Sequence, residues 1–229
     1  MTVLWVAEVG SAHKGMPSLA YEYIRAYSEA GANVLKFQFG WTEKAQLEQG
    51  LEYKPERYVD EWASDLRKWC NEFGVKLMAS VWSLEGLAVA DEIGIDYYKV
   101  AYKLHGSQFS DSLENKIRLH AAFYNKECYV SGLNVYCISE YPTYPGRLQL
   151  PEQFGFFSRG GFQGYSDHTH GIEACLLAVA RGATYVEKHV CLSKSDLITK
   201  DTPFSATPSE FEQMVKLGNG IERILDATV

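Results

Sequence analysis

The segment RGATYVEKHV (181–190) contains the pattern that decides the fold: a helix ends at Gly182 and a strand follows at once. The pattern recurs in AGANVLKFQ (30–38), FGVKLMAS (73–80) and IGIDYYKVA (93–101). Glycine at a helix C-terminus adopts a positive φ without strain. The residues behind it are apolar, β-branched or aromatic, which is typical of strands buried in a parallel sheet. Alternation of this kind predicts βαβ units.

The same reading along the whole chain predicts eight strands and six helices. We place the strands near 3–9, 34–39, 76–82, 97–101, 127–131, 134–140, 162–167 and 185–191, and the helices near 17–30, 56–73, 84–93, 111–124, 171–181 and 208–226. This order predicts an α/β protein in which residues 1–229 form a single (β/α)8 TIM barrel domain. Between YVSG (129–132) and VYCIS (135–139) only two residues remain, which is too few for a parallel crossover. We therefore expect the barrel to be shortened or distorted between strands 5 and 6.

Composition excludes several classes of protein. The chain is 46% hydrophobic and 22% charged, which is ordinary globular composition, and its net charge of −7 argues against nucleic acid as a main partner. No apolar run approaches the ~20 residues that a membrane helix needs, and we expect a cytoplasmic protein without a membrane partner. The five cysteines include no C-x-x-C pair, so we expect buried thiols instead of a disulfide framework or a zinc knuckle.

Polar residues two positions apart recur at the ends of the predicted strands. Because side chains alternate along a strand, such pairs face the same side, and barrel active sites lie at the carboxyl ends of the strands. The candidate pairs are Lys36/Gln38, Ser139/Tyr141, Ser166/His168 and Glu187/His189, and the single positions are Glu8, Ser80, Lys99 and Ser131. Burial of such groups without partners is unfavourable, so their concentration at one end predicts a site.

Each of the main candidates has a functional and a structural interpretation. His168 and His189 could share one metal ion, or they could be hydrogen-bonded structural histidines. Glu187 could be a catalytic base or an ion-pair partner of a lysine. Lys36 and Lys99 could bind a phosphate or carboxylate, or they could form internal salt bridges.

Two further residues are placed by the same reasoning. His13 follows the first strand, where it would either contact substrate or lie in a solvated loop. The parity of the eighth strand predicts that Lys188 points away from the barrel interior.

Seven segments together resemble the N-acetylneuraminate (sialic acid) synthase family. They are AEVGSAHKG (7–15), VLKFQ (34–38), YKVA (98–101), CISEYP (137–142), GYSDHTHG (164–171), GATYVEKHV (182–190) and KDTPFSATPSEF (200–211). The resemblance implies a TIM barrel enzyme that condenses phosphoenolpyruvate with N-acetylmannosamine or a related N-acyl sugar aldehyde and releases phosphate. It also implies a divalent metal, Mn²⁺ first and Mg²⁺ or Co²⁺ as alternatives.

The resemblance further implies roles for individual residues. His168 and His189 match metal ligands, and Glu187 and Glu8 match positions at the reacting centre, with Glu187 a proton-transfer group. The positions that match the phosphoenolpyruvate site are Lys36, Lys99, Ser131, Ser139 and Ser166, and those that match the sugar site are Glu8, Gln38, Tyr141 and Asp201.

The chain also departs from the family pattern. Ala12 stands where the family has Asn, Tyr102 where it has Ser, and Ser80-Val81 where it has Thr-Pro. We expect the barrel alone, without the family's small C-terminal antifreeze-like domain, and a homodimer. The alternatives to an active synthase are a degenerate barrel that serves as a binding or scaffold protein, and another metal-dependent aldol-type enzyme on the same fold.

Overall fold

Eight strands close into a barrel in chain order. The computed structural model describes residues 2–48, 50, 52, 54, 58–101, 128–130, 133–155, 161–195 and 199–227. The strands are β1 (Leu4–Gly10), β2 (Val34–Phe39), β3 (Lys76–Val81), β4 (Tyr97–Ala101), β5 (Cys128–Val130), β6 (Leu133–Cys137), β7 (Gly164–Asp167) and β8 (Tyr185–His189). Every predicted strand is present, and the predicted barrel is confirmed.

Helices cover the outside of the barrel. The α-helices are α1 (Pro17–Glu29), α2 (Glu43–Glu48), α3 (Ala63–Glu72), α4 (Leu84–Glu92), α5 (Glu173–Ala180) and α6 (Pro208–Ala227), and short 3₁₀ helices span Asp60–Trp62, Pro145–Arg147 and Thr202–Phe204. Five of the six predicted helices are present, although the one predicted at 56–73 becomes α-helical only at Ala63. The sixth, at 111–124, lies outside the described residues, and α2 was not predicted. None of the described helices is long and apolar enough to cross a membrane.

The distortion predicted between strands 5 and 6 is an inverted strand. β5 pairs antiparallel with both β4 and β6, whereas the other neighbouring pairs are parallel. Two residues connect β5 to β6, and a connection of that length can join antiparallel strands but cannot make a parallel crossover. The short junction therefore inverts a strand and leaves the barrel closed.

The local signals at helix ends behave as the sequence predicts. The junction glycines at 31, 74, 94 and 182 have φ between +69° and +91°. At the start of α6, Thr207 N donates to Glu210 Oε2 at 2.7 Å, and Glu210 N donates back to Thr207 Oγ1 at 3.4 Å. This reciprocal pair is a capping box, which satisfies two amide groups that the first helical turn leaves without partners.

The hydrophobic core has two parts, because alternate strand residues face opposite sides. A large cluster lies between the barrel and its helices. A smaller cluster fills part of the barrel interior with Val6, Val34, Met78, Val135 and Tyr185. The charged residues Glu8, Lys36, Lys99 and Glu187 each lie two positions after an inward-facing residue of this smaller cluster on the same strand. The polar layer therefore lies directly above the apolar cluster in the barrel interior. The four cysteines whose side chains are described are free and buried, as predicted.

A glycine contact fixes the position of α4 against the barrel. A Cβ on Gly86, in the first turn of α4, would overlap the backbone N and Cα of Gly40, just after β2. The close approach of the two backbones therefore requires glycine at position 86.

We predict that Gly86→Ala lowers the free energy of unfolding by about 1–3 kcal/mol, because the added methyl group overpacks this contact. Urea denaturation at pH 7 measures the effect. Gly146→Ala is the matched control, since nothing lies within 4 Å of a Cβ at that exposed position. Equal stabilities of the two variants would contradict the prediction.

Candidate functional site

Polar side chains from neighbouring strands meet at one level of the barrel interior. The strand register pairs Glu8 with both Lys36 and His189, Gln38 with Ser80, Ser80 with Lys99, and Ser166 with Glu187. These residues lie in the middle or the carboxyl-terminal part of their strands, and barrel enzymes carry their active sites at the carboxyl-terminal end. The structure therefore brings together candidates that are far apart in the sequence.

Glu187 is the centre of this polar layer. Its Oε1 accepts hydrogen bonds from Lys36 Nζ and Ser166 Oγ, each at 2.8 Å, and also forms an ion pair with Lys99 Nζ. Its Oε2 accepts from Tyr185 OH at 2.5 Å. The carboxylate is thus held by four groups from strands β2, β4, β7 and β8, and it is 1% exposed.

Two lysines and two carboxylates balance each other inside the barrel. Lys36 Nζ also lies 2.8 Å from Glu8 Oε2, so it bridges Glu8 and Glu187. Burial would raise the pKa of Glu187, but Lys36 and Lys99 outweigh burial and hold that pKa well below its usual range. Burial lowers the pKa of Lys36 to about 7, opposed by Glu187 and reinforced by Lys99. The internal salt bridges that were the structural interpretation of these residues are present.

The imidazoles of His168 and His189 lie side by side at the same end of the barrel, with ring centroids 5.3 Å apart. His168 Nδ1 lies 2.7 Å from Ile138 O, so it carries the proton and donates. This contact fixes the tautomer and leaves Nε2 as the lone-pair nitrogen that a metal ion would bind. Burial lowers the pKa of His168 to about 4, and burial together with His168 places the pKa of His189 well below its usual range.

Both histidines are therefore neutral at pH 7, which is the form that binds a metal ion. Within the described residues, no group of three or more His, Cys, Asp or Glu side chains is arranged to hold a metal. The two imidazoles fit a site in which water and substrate oxygens supply the remaining ligands.

Two aromatic rings surround the histidines. Tyr141 lies over His168 with ring centroids 4.2 Å apart, and its side chain is partly exposed. Phe204, from the 3₁₀ helix after β8, has its ring centroid 6.3 Å from that of His168 and 5.6 Å from that of His189. Sequence reasoning missed Phe204, although it lies inside the segment 200–211 that carries the resemblance. Its position after a loop gave no periodic signal.

The remaining candidates differ in how the structure places them. Asp201 directly precedes the 3₁₀ helix that carries Phe204, in the loop between β8 and α6. Ser139 follows β6 by two residues, and Ser131 lies outside the described residues. β5 pairs Cys128 with Ala101 and Val130 with Lys99, so it runs away from the carboxyl end of β4. The assignment of Ser131 to the phosphoenolpyruvate site therefore stays a prediction from the sequence.

His13 is fully buried, so its interpretation as part of a solvated loop was wrong. Its ring packs edge-on against Trp62 at a centroid distance of 5.3 Å, and its Nδ1 accepts from Gly15 N at 3.0 Å. Burial lowers the pKa of His13 to about 4. The residue therefore shapes the loop after β1.

Lys188 faces away from the barrel interior, as parity predicts. Its Nζ lies 2.6 Å from Asp167 Oδ2, and both side chains are completely buried. Asp167 also accepts from Tyr165 OH at 2.8 Å and from Thr169 N at 2.9 Å. This buried pair joins β7 to β8 on the outer side, at the positions directly before the two histidines.

Known proteins resemble this chain over most of its length. Residues 122–229 match the model of the NeuB family. Relatives of the chain include a pseudaminic acid synthase of Campylobacter jejuni, which is 25% identical over 93% of this chain and 72% of that protein. They also include the N-acetylneuraminate-9-phosphate synthase of Mus musculus, which is 24% identical over 96% of this chain and 70% of that protein. The resemblance noted in the sequence is confirmed.

Solved structures support the fold of this chain. The N-acetylneuraminic acid synthetase of Leptospira borgpetersenii, in complex with citrate, superposes with a TM-score of 0.75 at 23% identity, covering 98% of this chain and 85% of that one. A truncated 3-deoxy-D-arabino-heptulosonate 7-phosphate synthase of Thermotoga maritima gives 0.56 at 15% identity, covering 99% and 88%. These likenesses confirm the α/β barrel.

The ion pairs of Glu187 make the stability of the protein dependent on pH. Because folding lowers the pKa of Glu187, their contribution is fully present above the unfolded value of 4.5 and is lost as the pH falls towards the folded value. We predict that Glu187→Gln lowers the free energy of unfolding at pH 7 by about 3 kcal/mol and flattens its decline below pH 4.5.

Urea denaturation at intervals of about half a pH unit between pH 3 and pH 7 tests this prediction. Glu212→Gln, which removes an exposed carboxylate from α6, is the matched control and should leave the profile of the wild type unchanged. A Glu187→Gln profile parallel to that of the wild type would show that this carboxylate does not carry the acid sensitivity.

Proposed function

We propose that this chain catalyses the condensation of phosphoenolpyruvate with an N-acyl sugar aldehyde of the N-acetylmannosamine type. The products are a nonulosonic acid of the sialic type and phosphate. The observation that carries the proposal is the convergence of Lys36 and Lys99 on Glu187 beside the neutral pair His168 and His189. The names of the relatives, which are synthases of sialic-type acids, support the same reaction.

His168 and His189 are the residues that would hold a divalent cation, Mn²⁺ by preference and Mg²⁺ or Co²⁺ as alternatives. Their neutral state and the fixed tautomer of His168 support this assignment. A divalent cation bound there supplies Lewis acidity, which polarises the carbonyl group of an aldehyde.

Lys36, Lys99 and Ser166 form the pocket that we assign to phosphoenolpyruvate, with Ser139 at its rim. Each of the three presents a hydrogen-bond donor that now contacts Glu187, and an incoming carboxylate or phosphate would compete for the same donors. Among these groups the charges of two lysines and of Glu8 and Glu187 cancel. An anion is therefore attracted strongly only when a cation adds positive charge, and binding of phosphoenolpyruvate should depend on the metal.

The sugar is assigned to the mouth of the barrel, above this pocket. Tyr141 is partly exposed beside His168, Asp201 lies in the loop after β8, and Gln38 lies above Lys36 on the same face of β2. Glu8 faces the same space from β1. These residues would orient the aldehyde over the CH2 carbon of phosphoenolpyruvate, which forms the new bond. Proximity of this kind lowers the activation free energy by about 7–11 kcal/mol at most.

The reaction requires proton transfers, for which the pocket offers the carboxylates of Glu8 and Glu187. The aldehyde oxygen gains a proton as it becomes a hydroxyl group. Water adds to the carbon that bears the phosphate and loses one proton; when phosphate leaves, the second proton of that water goes with it and the carbonyl group forms. Glu8 and Glu187 lie on either side of Lys36 in this pocket, and we assign the two proton transfers to them.

A degenerate barrel of the same family, acting as a binding protein, is the second candidate. The inverted strand β5 favours it, because that strand does not carry its carboxyl end to the mouth. The departure from the family pattern at Tyr102, noted in the sequence, favours the same candidate.

Phosphate release distinguishes the two candidates. We predict that purified protein releases phosphate from phosphoenolpyruvate only when both Mn²⁺ and N-acetylmannosamine, or a related N-acyl sugar, are present. Release that requires neither sugar nor metal would indicate a contaminating phosphatase, and no release with any mannose-type N-acyl sugar would favour the degenerate barrel.

Metal binding provides a test that does not depend on turnover. We predict that His168→Ala and His189→Ala each weaken Mn²⁺ binding at least 10-fold in a titration followed by electron paramagnetic resonance, because each removes one of only two imidazole ligands. His170→Ala is the matched control, since His170 is exposed and contacts Pro203 O instead. Unchanged Mn²⁺ affinity in the first two variants would show that the ligands are other residues.

A further inference from the structure

The amide of Gln38 has a fixed orientation, set by Trp41. Trp41 Nε1 lies 2.6 Å from the oxygen Oε1 of Gln38. An indole N–H only donates hydrogen bonds, so the amide atom that faces it must be the oxygen. The amide nitrogen of Gln38 therefore faces away from Trp41, and the usual ambiguity between the two ends of an amide does not arise here.

The Gln38 nitrogen and a carboxylate oxygen of Glu8 both lie close to Gly10. A Cβ placed on Gly10 would lie 3.9 Å from Gln38 Nε2 and 3.3 Å from Glu8 Oε1. The other oxygen of Glu8 pairs with Lys36. A donor and an acceptor thus lie near one small space that the absence of a side chain at Gly10 leaves open.

Trp41 is itself held rigidly. Its ring stacks on that of Trp82 with centroids 4.0 Å apart and an interplanar angle of 25°. Its carbonyl oxygen accepts from Gln46 Nε2 at 2.9 Å, and Gln46 is fully buried. The side chain of Trp41 therefore has one fixed position, and its indole N–H donates in one fixed direction.

We propose that Trp41 is a positioning residue that holds the Gln38 amide as a hydrogen-bond donor towards the barrel mouth. The space between Gln38 and Glu8 then selects a group that accepts from the amide nitrogen and donates to the carboxylate, which is the chemistry of a hydroxyl group. The orientation of the amide stands by itself, whereas selection of a substrate hydroxyl rests on the proposed function.

Nuclear magnetic resonance of the indole N–H groups tests the positioning role without any substrate. The chain has five tryptophans, and Trp41→Phe identifies the Trp41 resonance by removing it. We expect Gln38→Met, which keeps the length of the side chain but removes its acceptor, to shift this resonance upfield and to accelerate its exchange with solvent. A Trp41 resonance unmoved in Gln38→Met would overturn the positioning role.

Trp82 provides the internal control. Its Nε1 is buried and has no hydrogen-bond partner within the described part of the chain. Its resonance, identified with Trp82→Phe, should not move in Gln38→Met. Equal shifts of both resonances would show a general rearrangement of the loop instead of the loss of one hydrogen bond, and would also overturn the proposal.

Kinetics test the selection of the substrate group. We expect Trp41→Phe, which keeps an aromatic ring on Trp82, to raise KM for the sugar about 3–10-fold with kcat within about two-fold, as loss of one oriented hydrogen bond requires. In the Gln38→Met background the same substitution should have no further effect on KM, because there is no amide to position. Additive effects of the two substitutions would overturn the selection.

The two proposals fail in different ways. Wild-type protein without phosphate release would overturn the proposed function and the selection of a substrate hydroxyl, while the indole resonance would still decide the role of Trp41. Active wild-type protein with an unchanged KM in Trp41→Phe would overturn the selection alone.

Discussion

The carboxylate of Glu187, held by two lysines, a serine and a tyrosine, is the interaction on which the barrel interior depends. Burial of one unpaired charge in an apolar interior costs several kcal/mol, so each member of this cluster requires the others. The four contacts come from β2, β4, β7 and β8, and they therefore link both sides of the barrel. An arrangement that satisfies Glu187 this fully also holds the two lysine ammonium groups in fixed positions.

Because side chains alternate along a strand, the buried charged residues form two separate groups, one inside the barrel and one on its outer side. Glu187 and His189 face the interior, while Lys188 between them faces outward and pairs with Asp167 beneath helix α5. Both side chains of this outer pair are completely buried, and Asp167 accepts further hydrogen bonds from Tyr165 and Thr169. Such additional partners are the condition for a buried ion pair to be tolerated. Because the outer pair joins β7 and β8 next to the two histidines, it restrains the spacing of the candidate metal ligands from behind.

Much of this fold could be predicted from sequence because the signals were local. A glycine with positive φ followed by an apolar run located the strands, and period-two alternation placed Lys36, Gln38 and Glu187 on the inner face. The direction of β5 could not be predicted, because a short apolar strand has the same pattern whichever way it runs. The partners of Lys36 could not be chosen either, because Glu8 and Glu187 were both in reach, and the structure shows that Lys36 contacts both. Phe204 was missed because its position depends on a loop that folds back over the histidines.

The inverted strand β5 and the polar cluster around Glu187 lie in different parts of the barrel. This separation is relevant to the question of catalytic activity. Glu8, Lys36, Ser166, Glu187 and both histidines lie on or directly after β1, β2, β7 and β8, which are parallel neighbours; the register between β1 and β2 shifts after the pairing of Glu8 with Lys36. β5 is joined to this cluster through its pairing with Lys99 on β4. The inversion therefore changes one wall of the pocket and leaves the lysine–glutamate–histidine arrangement intact. A barrel that had lost its function would be under no constraint to keep four buried charges paired in its interior, since apolar residues of similar size fill such a space at least as stably. The persistence of the cluster favours chemistry over scaffolding.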